Sequence, residues 1–484
     1  MVGAVRPEGS DHAEGLAMAW RWDWQDFNTN DSYLQDCCRR SVRRCATLGF
    51  CVTRSTMKPL TTVLLAAALA AAQPVQAAEL KIATWNLGWH LDSELARSWI
   101  GACSQPFALD GADQVWKPKP PTTAPATLTG WQLRWGRNAP VAWDIAQLPP
   151  CDVFQAGGAV LAVSESAYAR RQQQIATLLA QRVDADVIAF QEVSGAASVR
   201  QVLPGGGQGW EVCSYEGHKV QRLAIAWKSG LGRLRSCEAH WPLSLPERAA
   251  KDQPRPGLAL TLEVGGKLLR VLTVHLKSSC VSPLEDPRPN GRGQLDGNEA
   301  NCEVLQAQLP ALEGWLEEQA TRDRPDALVL LGDFNRNLGH EATEPATLPV
   351  RSEGQASDAH RPGQRSRSLW REVNDGVPAA STLRLVPSQC PGSETVQALC
   401  RKAGTQRIAR DEMAQIAAPT ALGCRNPIGL DYITLGGSAR ALAPADKVAL
   451  GALGLSSAPA AGQADAVLAL SDHCPLLLRL DIGS

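Results

Sequence analysis

The sequence predicts an α/β protein in which β-sheets pack together and are covered by helices. Helical and β-type patterns alternate along the chain, and some strand patterns are apolar throughout while others alternate in polarity. Strands that are apolar on both faces are typically buried on both, whereas alternating strands leave one face to solvent. Hydrophobic residues make up 44% and charged residues 20% of the 484, which is a composition that supports a large core.

The charges nearly cancel, because 48 Lys and Arg stand against 49 Asp and Glu. This balance provides no general electrostatic attraction for nucleic acid, although a local basic cleft would not show in the sum. The composition excludes a collagen-like or a wholly disordered chain.

The N-terminal region has the pattern of an export signal that begins at Met57. Lys58 precedes an apolar run over Leu60–Ala72, and small residues follow up to Ala77. The run is too short to span a bilayer comfortably, and a buried helix or a membrane anchor is its alternative interpretation. The expected organisation is a doubtful leader, a cleaved signal peptide and one domain, at residues 1–56, 57–77 and 78–484. A protein of this organisation would be periplasmic or secreted.

Cysteine usage agrees with export. Four of the 14 cysteines precede Met57, which leaves an even number for an oxidising compartment. Neighbours in sequence suggest three disulfides, although spacing alone does not decide connectivity: Cys103–Cys151, Cys213–Cys237 and Cys280–Cys302. The remaining cysteines contain no CxxC pair, so a thiolate zinc site is not expected.

The predicted strands are short apolar or alternating runs. In chain order they are Leu80–Trp85, Val187–Phe190, 221–228, 257–264, 268–276, Ala327–Leu331, Asp431–Leu435, Ala466–Leu470 and Leu476–Leu480. Apolar residues at steps of three or four predict two helices, one carrying Ile175, Leu178, Leu179 and Val183, the other Leu305, Leu309, Leu312 and Leu316.

Two long stretches, at about 97–165 and 337–425, are expected to be irregular insertions. The first contains Trp116, Trp131, Trp135 and Trp143. Tryptophans in such loops could stack on bases, contact lipid or fill a small disulfide-tied core.

Short polar groups follow six of the apolar strands, where a rigid scaffold can present side chains beside loops. They are Asn86, Glu192, His275 with Lys277, Asp333 with Asn335, Asp431, and Asp472 with His473. Any one of them has an ordinary structural explanation, such as a turn cap or a core histidine. Six such groups in equivalent places favour a shared site.

The chemistry of these groups converges on a phosphate ester. Glu192, with Asn86 or an aspartate, is a hard-oxygen set that suits Mg²⁺ or Mn²⁺. His275 and His473 can transfer protons near neutral pH, and Asp431 could orient His473 and stabilise its cation. A divalent ion, imidazoles and amide donors together suit the attack of water on phosphate.

The blocks around these residues resemble those of the endonuclease/exonuclease/phosphatase superfamily, with its deoxyribonuclease I-like fold. They occur in the family's order as Ile82–Leu87, Asp186–Glu192, Val274–Ser278, Leu331–Asn335, Leu430–Ile433 and Ser471–Pro475. The resemblance, which extends to bacterial secreted nucleases, implies a four-layer α/β sandwich: two packed mixed β-sheets flanked by helices, here with two long loop insertions. It also implies divalent-metal-dependent hydrolysis of phosphoesters.

The same resemblance implies a role for each polar residue. The catalytic residues would be His275, Asp333, Asn335, Asp431 and His473; the metal ligands Glu192, Asn86 and Asp472; and the phosphate-binding residues Arg255, Asn86 and Asn335. His275 would be the leaving-group acid, a residue that the abasic-site repair branch lacks. His473 would be a general base or a phosphate-side stabiliser, and Gln221 stands where related enzymes support the first histidine with a glutamate.

The expected function is therefore an exported phosphodiesterase that uses Mg²⁺ or Mn²⁺, a nuclease with DNA or RNA as its substrate partner. A sphingomyelinase-like enzyme or another phosphoester hydrolase, such as a phosphatase, is the alternative. A non-catalytic binding relative is disfavoured because both Glu192 and His473 are present. No stable membrane span is expected, and no protein partner can be inferred.

Overall fold

Two large β-sheets lie face to face in the computed structural model, with helices on both outer surfaces. The structure describes residues 79–483 apart from 119–127, 134, 136–139, 282–292 and 344–367. The predicted leader and signal peptide lie outside the described residues.

The strands of the described residues supply both large sheets and two small ones. In chain order they are β1 (Glu79–His90), β2 (Pro106–Leu109), β3 (Trp116–Pro118), β4 (Leu128–Thr129), β5 (Gln155–Ala156), β6 (Ala159–Val160), β7 (Val187–Val193), β8 (Trp210–Ser214), β9 (Arg222–Lys228), β10 (Arg233–His240), β11 (Gly257–Val264), β12 (Lys267–His275), β13 (Ala327–Asp333), β14 (Arg384–Leu385), β15 (Ser388–Gln389), β16 (Asp431–Gly437), β17 (Arg440–Ala441), β18 (Ala445–Lys447) and β19 (Leu476–Asp481).

The helices of the described residues are fewer than the strands. They are α1 (Ser93–Ser104), α2 (Glu165–Leu178), α3 (Ala196–Val202), α4 (Ala300–Thr321), α5 (Leu338–Thr343), α6 (Leu369–Glu372), α7 (Glu394–Ala403) and α8 (Arg410–Ala417). A π-helical turn, Leu179–Val183, continues α2, so the predicted apolar face from Ile175 to Val183 is helical throughout. In the described part of the chain, every helix is too short or too polar to cross a membrane.

Both large sheets are mixed. The larger has the order β15-β18-β19-β1-β7-β9-β8, with β17 also paired to β19, and the smaller has the order β10-β11-β12-β13-β16-β14. β1 and β7 are parallel, as are β12 and β13, whereas β19 and β16 run antiparallel to their neighbours.

Strands that are apolar on both faces build the layers. In β7, Val187 and Ala189 pack between the two sheets, while Ile188 and Phe190 face α2 and α3 on the outside. On the opposite surface, the leucines of α4 cover the outer face of the smaller sheet. The order helix, sheet, sheet, helix confirms the predicted four-layer α/β sandwich.

The first insertion is more regular than its composition predicts. It contains α1, the small sheet β3-β2-β4 and the hairpin β5–β6. Its tryptophans fill a small core with the Cys103–Cys151 disulfide, and the rings of Trp135 and Trp143 meet edge to face at 5.3 Å. Of the three uses considered for these side chains, the small core is the one observed for Trp131, Trp135 and Trp143.

The prediction of a strand at Ala466–Leu470 is wrong. A single bridge, from Val467 to Ser457, is the pairing this segment makes among the described residues. The carbonyl oxygens of its last two residues instead accept hydrogen bonds of 2.9 and 2.6 Å from the buried guanidinium of Arg171. Alternating burial indicates an extended chain with one covered face. Such a chain is a β-strand only if its backbone hydrogen-bonds to the backbone of a neighbouring strand.

All ten cysteines after residue 77 are paired. The disulfides are Cys103–Cys151, Cys213–Cys237, Cys280–Cys302, Cys390–Cys400 and Cys424–Cys474. The three pairs suggested by sequence neighbours are confirmed. Cys213–Cys237 joins β8 in one large sheet to β10 in the other, so it ties the two sheets together at an edge.

Candidate active site

The polar residues predicted from the strand ends meet at one edge of the sandwich. Parallel strands deliver their carboxyl ends to the same edge, and the register pairs His275 with Asp333 across β12 and β13. β16 begins at Asp431, opposite Asp333. In the other sheet, β1 pairs with β7 as far as Asn86, beside Glu192.

The backbone at this edge has conformations that side chains rarely adopt. Glu192 (φ 56°) and Asn335 (φ 50°) both lie in the left-handed region. Glu192 also lies at an irregularity in the β7–β9 pairing, the kind of bulge that re-aims a side chain. A Cβ at Gly332 would lie 2.2 Å from the carbonyl oxygen of Val274, so glycine is needed for the close approach that sets His275 against Asp333.

Asn86 links the two carboxylates of the site. Its Nδ2 donates to Glu192 Oε1 at 3.3 Å and to Asp333 Oδ2 at 3.0 Å, while its Oδ1 accepts from the backbone N–H of Gly88 at 3.0 Å. The other oxygen of Glu192 accepts from the backbone N–H of Trp89 at 3.2 Å. In this orientation Asn86 is a hydrogen-bond donor, and its amide would have to turn to offer oxygen to a metal ion.

His473 is held by Asp431. Nδ1 of His473 lies 2.9 Å from Asp431 Oδ2, and its Nε2 lies 3.8 Å from Asp333 Oδ2. Burial alone would lower the pKa of His473, but the carboxylates of Asp431, Asp472 and Asp333 outweigh it and raise the pKa to about 10. The imidazole is therefore a cation at neutral pH.

The pKa of Asp333 is also raised, which for a carboxyl group favours the neutral form. Burial raises the pKa of this carboxyl to about 7, and the neighbouring charge of Asp431 adds to the rise, while the cationic His473 opposes it. The backbone N–H of Asn335 donates to Asp333 Oδ1 at 2.9 Å and fixes the carboxyl group. Its titration range makes Asp333 a possible proton acceptor near neutral pH.

His275 points into the same centre. Its Nε2 lies 3.7 Å from Glu192 Oε1 and 3.6 Å from Asp333 Oδ2. Its Nδ1 is buried and has no hydrogen-bond partner among the described residues. Burial, together with the cations Arg255, His473 and Lys277, holds the pKa of His275 well below its usual range. The ring is neutral, so it differs in charge from His473.

The expectation that Gln221 supports His275 is wrong. Gln221 Nε2 donates instead to Glu192 Oε2 at 2.7 Å, and its Oε1 accepts from Arg255 Nη2. An amide has both a donor and an acceptor, so it can join a carboxylate to a guanidinium, which a glutamate could not do here. Arg255 thereby lies beside the site, one side chain away from Glu192.

Asp472, at the rim of the site, and Asn335, at its floor, are the two remaining predicted residues. Asp472 is half-buried, and its Oδ2 accepts from Arg425 Nη2 at 2.8 Å and from Asn426 Nδ2 at 2.9 Å. Asn335 Nδ2 donates to the carbonyl oxygen of Leu276 at 3.1 Å. Asn335 thus bonds to the backbone after β12 through its side chain and to Asp333 at the end of β13 through its own N–H.

Sequence reasoning missed Lys447 and Asn426. The Lys447 side chain is 1% exposed, its Nζ lies 3.9 Å from Asp431 Oδ2, and burial lowers its pKa. Asn426 Nδ2 lies 3.3 Å from His473 Nε2. The one available signal was a lysine directly before the apolar run Val448–Leu450, and nothing in the sequence around Asn426 distinguishes it from a loop residue.

The sequence profile of the Endonuclease/Exonuclease/phosphatase family matches residues 157–473, a range that contains Glu192, His275, Asp333, Asp431 and His473 but not Asn86. The chain belongs to this family. No curated protein sequence is a significant match.

Solved structures similar to this family member are distant in sequence. A family protein from Bacteroides thetaiotaomicron is 12% identical, with 84% of this chain and 98% of that chain covered and a TM-score of 0.37. ANGEL2, a 2',3'-cyclic phosphatase, is 14% identical, with 84% and 96% covered and a TM-score of 0.37. D. rerio TDP2 complexed with a single-strand DNA product is 15% identical, with 64% and 92% covered and a TM-score of 0.33.

Family enzymes usually use divalent metal ions, and the donors of this chain fit one. Glu192 and Asp333 are carboxylates aimed at one point between Asn86 and His275. Burial raises the pKa of both carboxyl groups, and a bound divalent cation would favour their ionised forms. Ligand-forming atoms of Asp333, Asp431 and His473 also lie within 4.8 Å of one another.

Proposed function

We propose that the protein is an exported, divalent-metal-dependent phosphodiesterase that hydrolyses nucleic acid. The supporting observation is a pair of perturbed groups 3.8 Å apart: the pKa of Asp333 is raised to about 7 and that of His473 to about 10, so near neutral pH the carboxyl group can exchange a proton while the imidazole stays charged. Near neutral pH this pair offers a proton acceptor beside a fixed cation, which hydrolysis of a phosphate ester requires.

Asp333 is the group that takes the proton from the attacking water. Its Oδ2 faces the centre of the site, while its Oδ1 is held by the N–H of Asn335. Asn86 donates to the same Oδ2 at 3.0 Å, which keeps the carboxylate in one orientation.

His473 stabilises charge on the phosphate rather than removing a proton from water. Asp431 holds its Nδ1, so Nε2 is left to donate toward an equatorial phosphate oxygen. Of the two roles left open for this histidine, the raised pKa favours the phosphate-side stabiliser.

Glu192 is the carboxylate that would hold the metal ion, with Asp472 as a further oxygen donor, while Asn86 keeps its hydrogen bonds to Glu192 and Asp333. A bound divalent ion would supply electrostatic stabilisation of the developing phosphate charge. Gln221 and the backbone N–H of Trp89 position Glu192 for this task.

His275 completes the set from the smaller sheet. Because the ring is neutral, its N–H can donate to the leaving oxygen without competing as a second fixed cation. The resemblance implies a leaving-group acid at this position, but the lowered pKa leaves His275 without a proton to transfer near neutral pH, so its part is a hydrogen bond to the leaving oxygen, which takes its proton from water.

Two features of the chain support the remaining parts of the proposal. The five disulfides favour an oxidising compartment, and hence export. Cations beside the site, among them Arg255 and Lys277, favour a polyanionic substrate over a small monoester.

The test is hydrolysis of plasmid DNA, RNA, sphingomyelin and bis(p-nitrophenyl) phosphate by the purified protein, with Mg²⁺ or with EDTA. We expect metal-dependent cleavage of nucleic acid that is lost in His473→Ala while the circular dichroism spectrum is kept. Cleavage of sphingomyelin alone would move the assignment to a lipid phosphodiesterase. No hydrolysis of any substrate, or hydrolysis that survives both EDTA and the substitution, would refute the assignment.

A further inference from the structure

One exposed tryptophan directly follows β10, whose last residue, His240, pairs with Gly257, two residues after Arg255. Trp241, in the turn Trp241–Ser244 after β10, is 43% exposed, and it is the one tryptophan among the described residues with that much exposure. Tyr215 and His218 pack against it nearly perpendicularly, at ring separations of 5.7 and 6.1 Å. These contacts hold the indole in a fixed position at the surface, unlike a solvated side chain.

Three cations, Lys219, Arg255 and Lys277, lie close to one another, and the first of them directly follows the histidine that packs against Trp241. We call these three cations the basic cluster. Lys219 Nζ donates to the carbonyl oxygens of Lys251 and Gln253 at 2.8 and 2.7 Å, which clamps the loop before Arg255. This clamp brings the chain after His218 against the chain that carries Arg255.

The cluster reaches the reacting centre from two directions. Arg255 Nη2 donates a hydrogen bond to Gln221 Oε1, and Gln221 Nε2 donates one of 2.7 Å to Glu192 Oε2. Gln221 thus joins Arg255 to Glu192. Lys277 follows His275 by two residues, and its Nζ donates to the carbonyl oxygen of Ser278 at 3.0 Å.

The basic cluster has no ion-pair partner within the described ranges: none of its three members lies within 4.0 Å of a carboxylate there. Arg255 Nε is buried without a hydrogen bond. Burial and the charges of the other two members lower the pKa of Lys277 to about 8, which shows that the three repel one another. An anion bound between them would remove this repulsion.

We propose that Trp241 and the basic cluster form a subsite for the nucleotide that flanks the scissile phosphate. The base stacks on the indole of Trp241, and the flanking phosphate lies between Arg255 and Lys277. Stacking on a fixed indole requires an unpaired base, so the substrate is a single-stranded polynucleotide. This inference rests on the proposed function, because the scissile phosphate is placed at Glu192 and His473.

A polynucleotide accounts for the arrangement better than a lipid surface does. The indole contacts a tyrosine and a histidine, and burial together with the nearby cations Lys219 and Arg255 lowers the pKa of that histidine. Aromatic rings interleaved with basic side chains along a groove are the pattern by which proteins bind single strands.

Binding measured in EDTA tests the subsite without any hydrolysis. The probe is a short fluorescein-labelled oligothymidylate, and its affinity is followed by fluorescence anisotropy. Trp241→Ala is expected to weaken binding by about 5- to 150-fold, and Trp241→Phe, which keeps a stacking ring, to restore most of it. Leu442→Ala, an equally exposed residue that hydrogen-bonds beside β19 at the opposite end of the sheet, is the matched control and should bind as wild type.

The salt dependence of oligothymidylate binding tests the basic cluster separately. Lys277→Ala is expected to reduce the slope of log K against log salt by about 0.7, the contribution of one single-strand phosphate contact. Arg440→Ala, which removes an exposed cation paired with Asp481 at the far end, should leave the slope unchanged.

The outcomes separate this inference from the proposed function. Oligothymidylate binding that depends on Trp241 supports the subsite even if no hydrolysis is found, in which case only the proposed function fails. Hydrolysis of nucleic acid with binding unaffected by Trp241→Ala overturns the subsite alone. Binding to sphingomyelin vesicles that depends on Trp241, with oligothymidylate affinity unchanged, also overturns it and assigns the surface to lipid.

Discussion

Replacement of Asp431 by asparagine is the sharpest test of the electrostatics of this site. Asp431 is 3% exposed, and its Oδ2 lies 2.9 Å from His473 Nδ1. A hydrogen bond to a charged group contributes about 1.5–3 kcal/mol. Since one pKa unit corresponds to about 1.4 kcal/mol, Asp431→Asn should lower the pKa of His473 by about 1 to 2 units.

Titration of the His473 ring by NMR measures this change directly. The rate of phosphodiester hydrolysis should also fall by about 10²- to 10⁴-fold, since the ring loses its orientation as well as part of its charge. Asp481→Asn, at the end of β19 opposite the site, is the matched control and should change neither quantity. A pKa of His473 that stays at its wild-type value in a folded Asp431→Asn protein would refute the reasoning.

Lys447 provides a second check on the same substitution. Asp431→Asn leaves the buried ammonium 3.9 Å from an amide in place of a carboxylate, so the variant should lose stability. The double variant Asp431→Asn/Lys447→Met should regain stability in urea but not activity. Recovery of both would show that the stranded lysine, and not the lost orientation of His473, caused the loss.

Three further outcomes are expected. Glu192→Gln should abolish the Mg²⁺ binding seen by calorimetry and reduce hydrolysis by at least about 100-fold; unchanged Mg²⁺ affinity would contradict its role as the main ligand. Replacing Cys213 and Cys237 by serine should cost about 3 kcal/mol in urea unfolding, because the disulfide closes a loop of 24 residues between the sheets; an equally stable variant would show that packing alone holds this edge. The folded pKa of His473 is raised from 6.5 to about 10, so its stabilisation is full below pH 6.5 and is lost as pH rises through 10. Relative to His473→Gln, wild-type stability should therefore fall by up to about 1.4 kcal/mol per pH unit across that window, and a flat difference would exclude the charged pair.

Strands apolar on both faces were the part of the fold most accessible from sequence. Val187–Phe190 and Ala327–Leu331 are central strands of the two sheets because every side chain in them is buried, and only a layered fold provides two buried faces. The leucines of α4 were equally clear, since their spacing matches one face of a helix.

The limits of the pattern appear at Ala466–Leu470. A strand was predicted there, but the carbonyl oxygens of Ala469 and Leu470 accept hydrogen bonds from the side chain of Arg171, more than 290 residues away. A local pattern reports which face is covered and carries no information about which group satisfies the backbone.

The candidate site divides in the same way. Sequence identified the residue types at the strand ends, because a polar group after an apolar run is visible without any partner. It misassigned Gln221, whose amide bonds Glu192 and Arg255 rather than His275, and it missed Lys447.

The sequence by itself determined the four layers, the strand ends that carry the site and the family to which the chain belongs. Burial patterns and ordered motifs are properties of the chain alone, so they survive without coordinates. Only the tertiary structure decided that the pKa of Asp333 is raised to about 7 while His473 is held as a cation, and that Trp241 packs against His218, the neighbour of Lys219 in the basic cluster. Those properties depend on distances between residues far apart in sequence, which are set by the register of the strands and the packing of one sheet on the other.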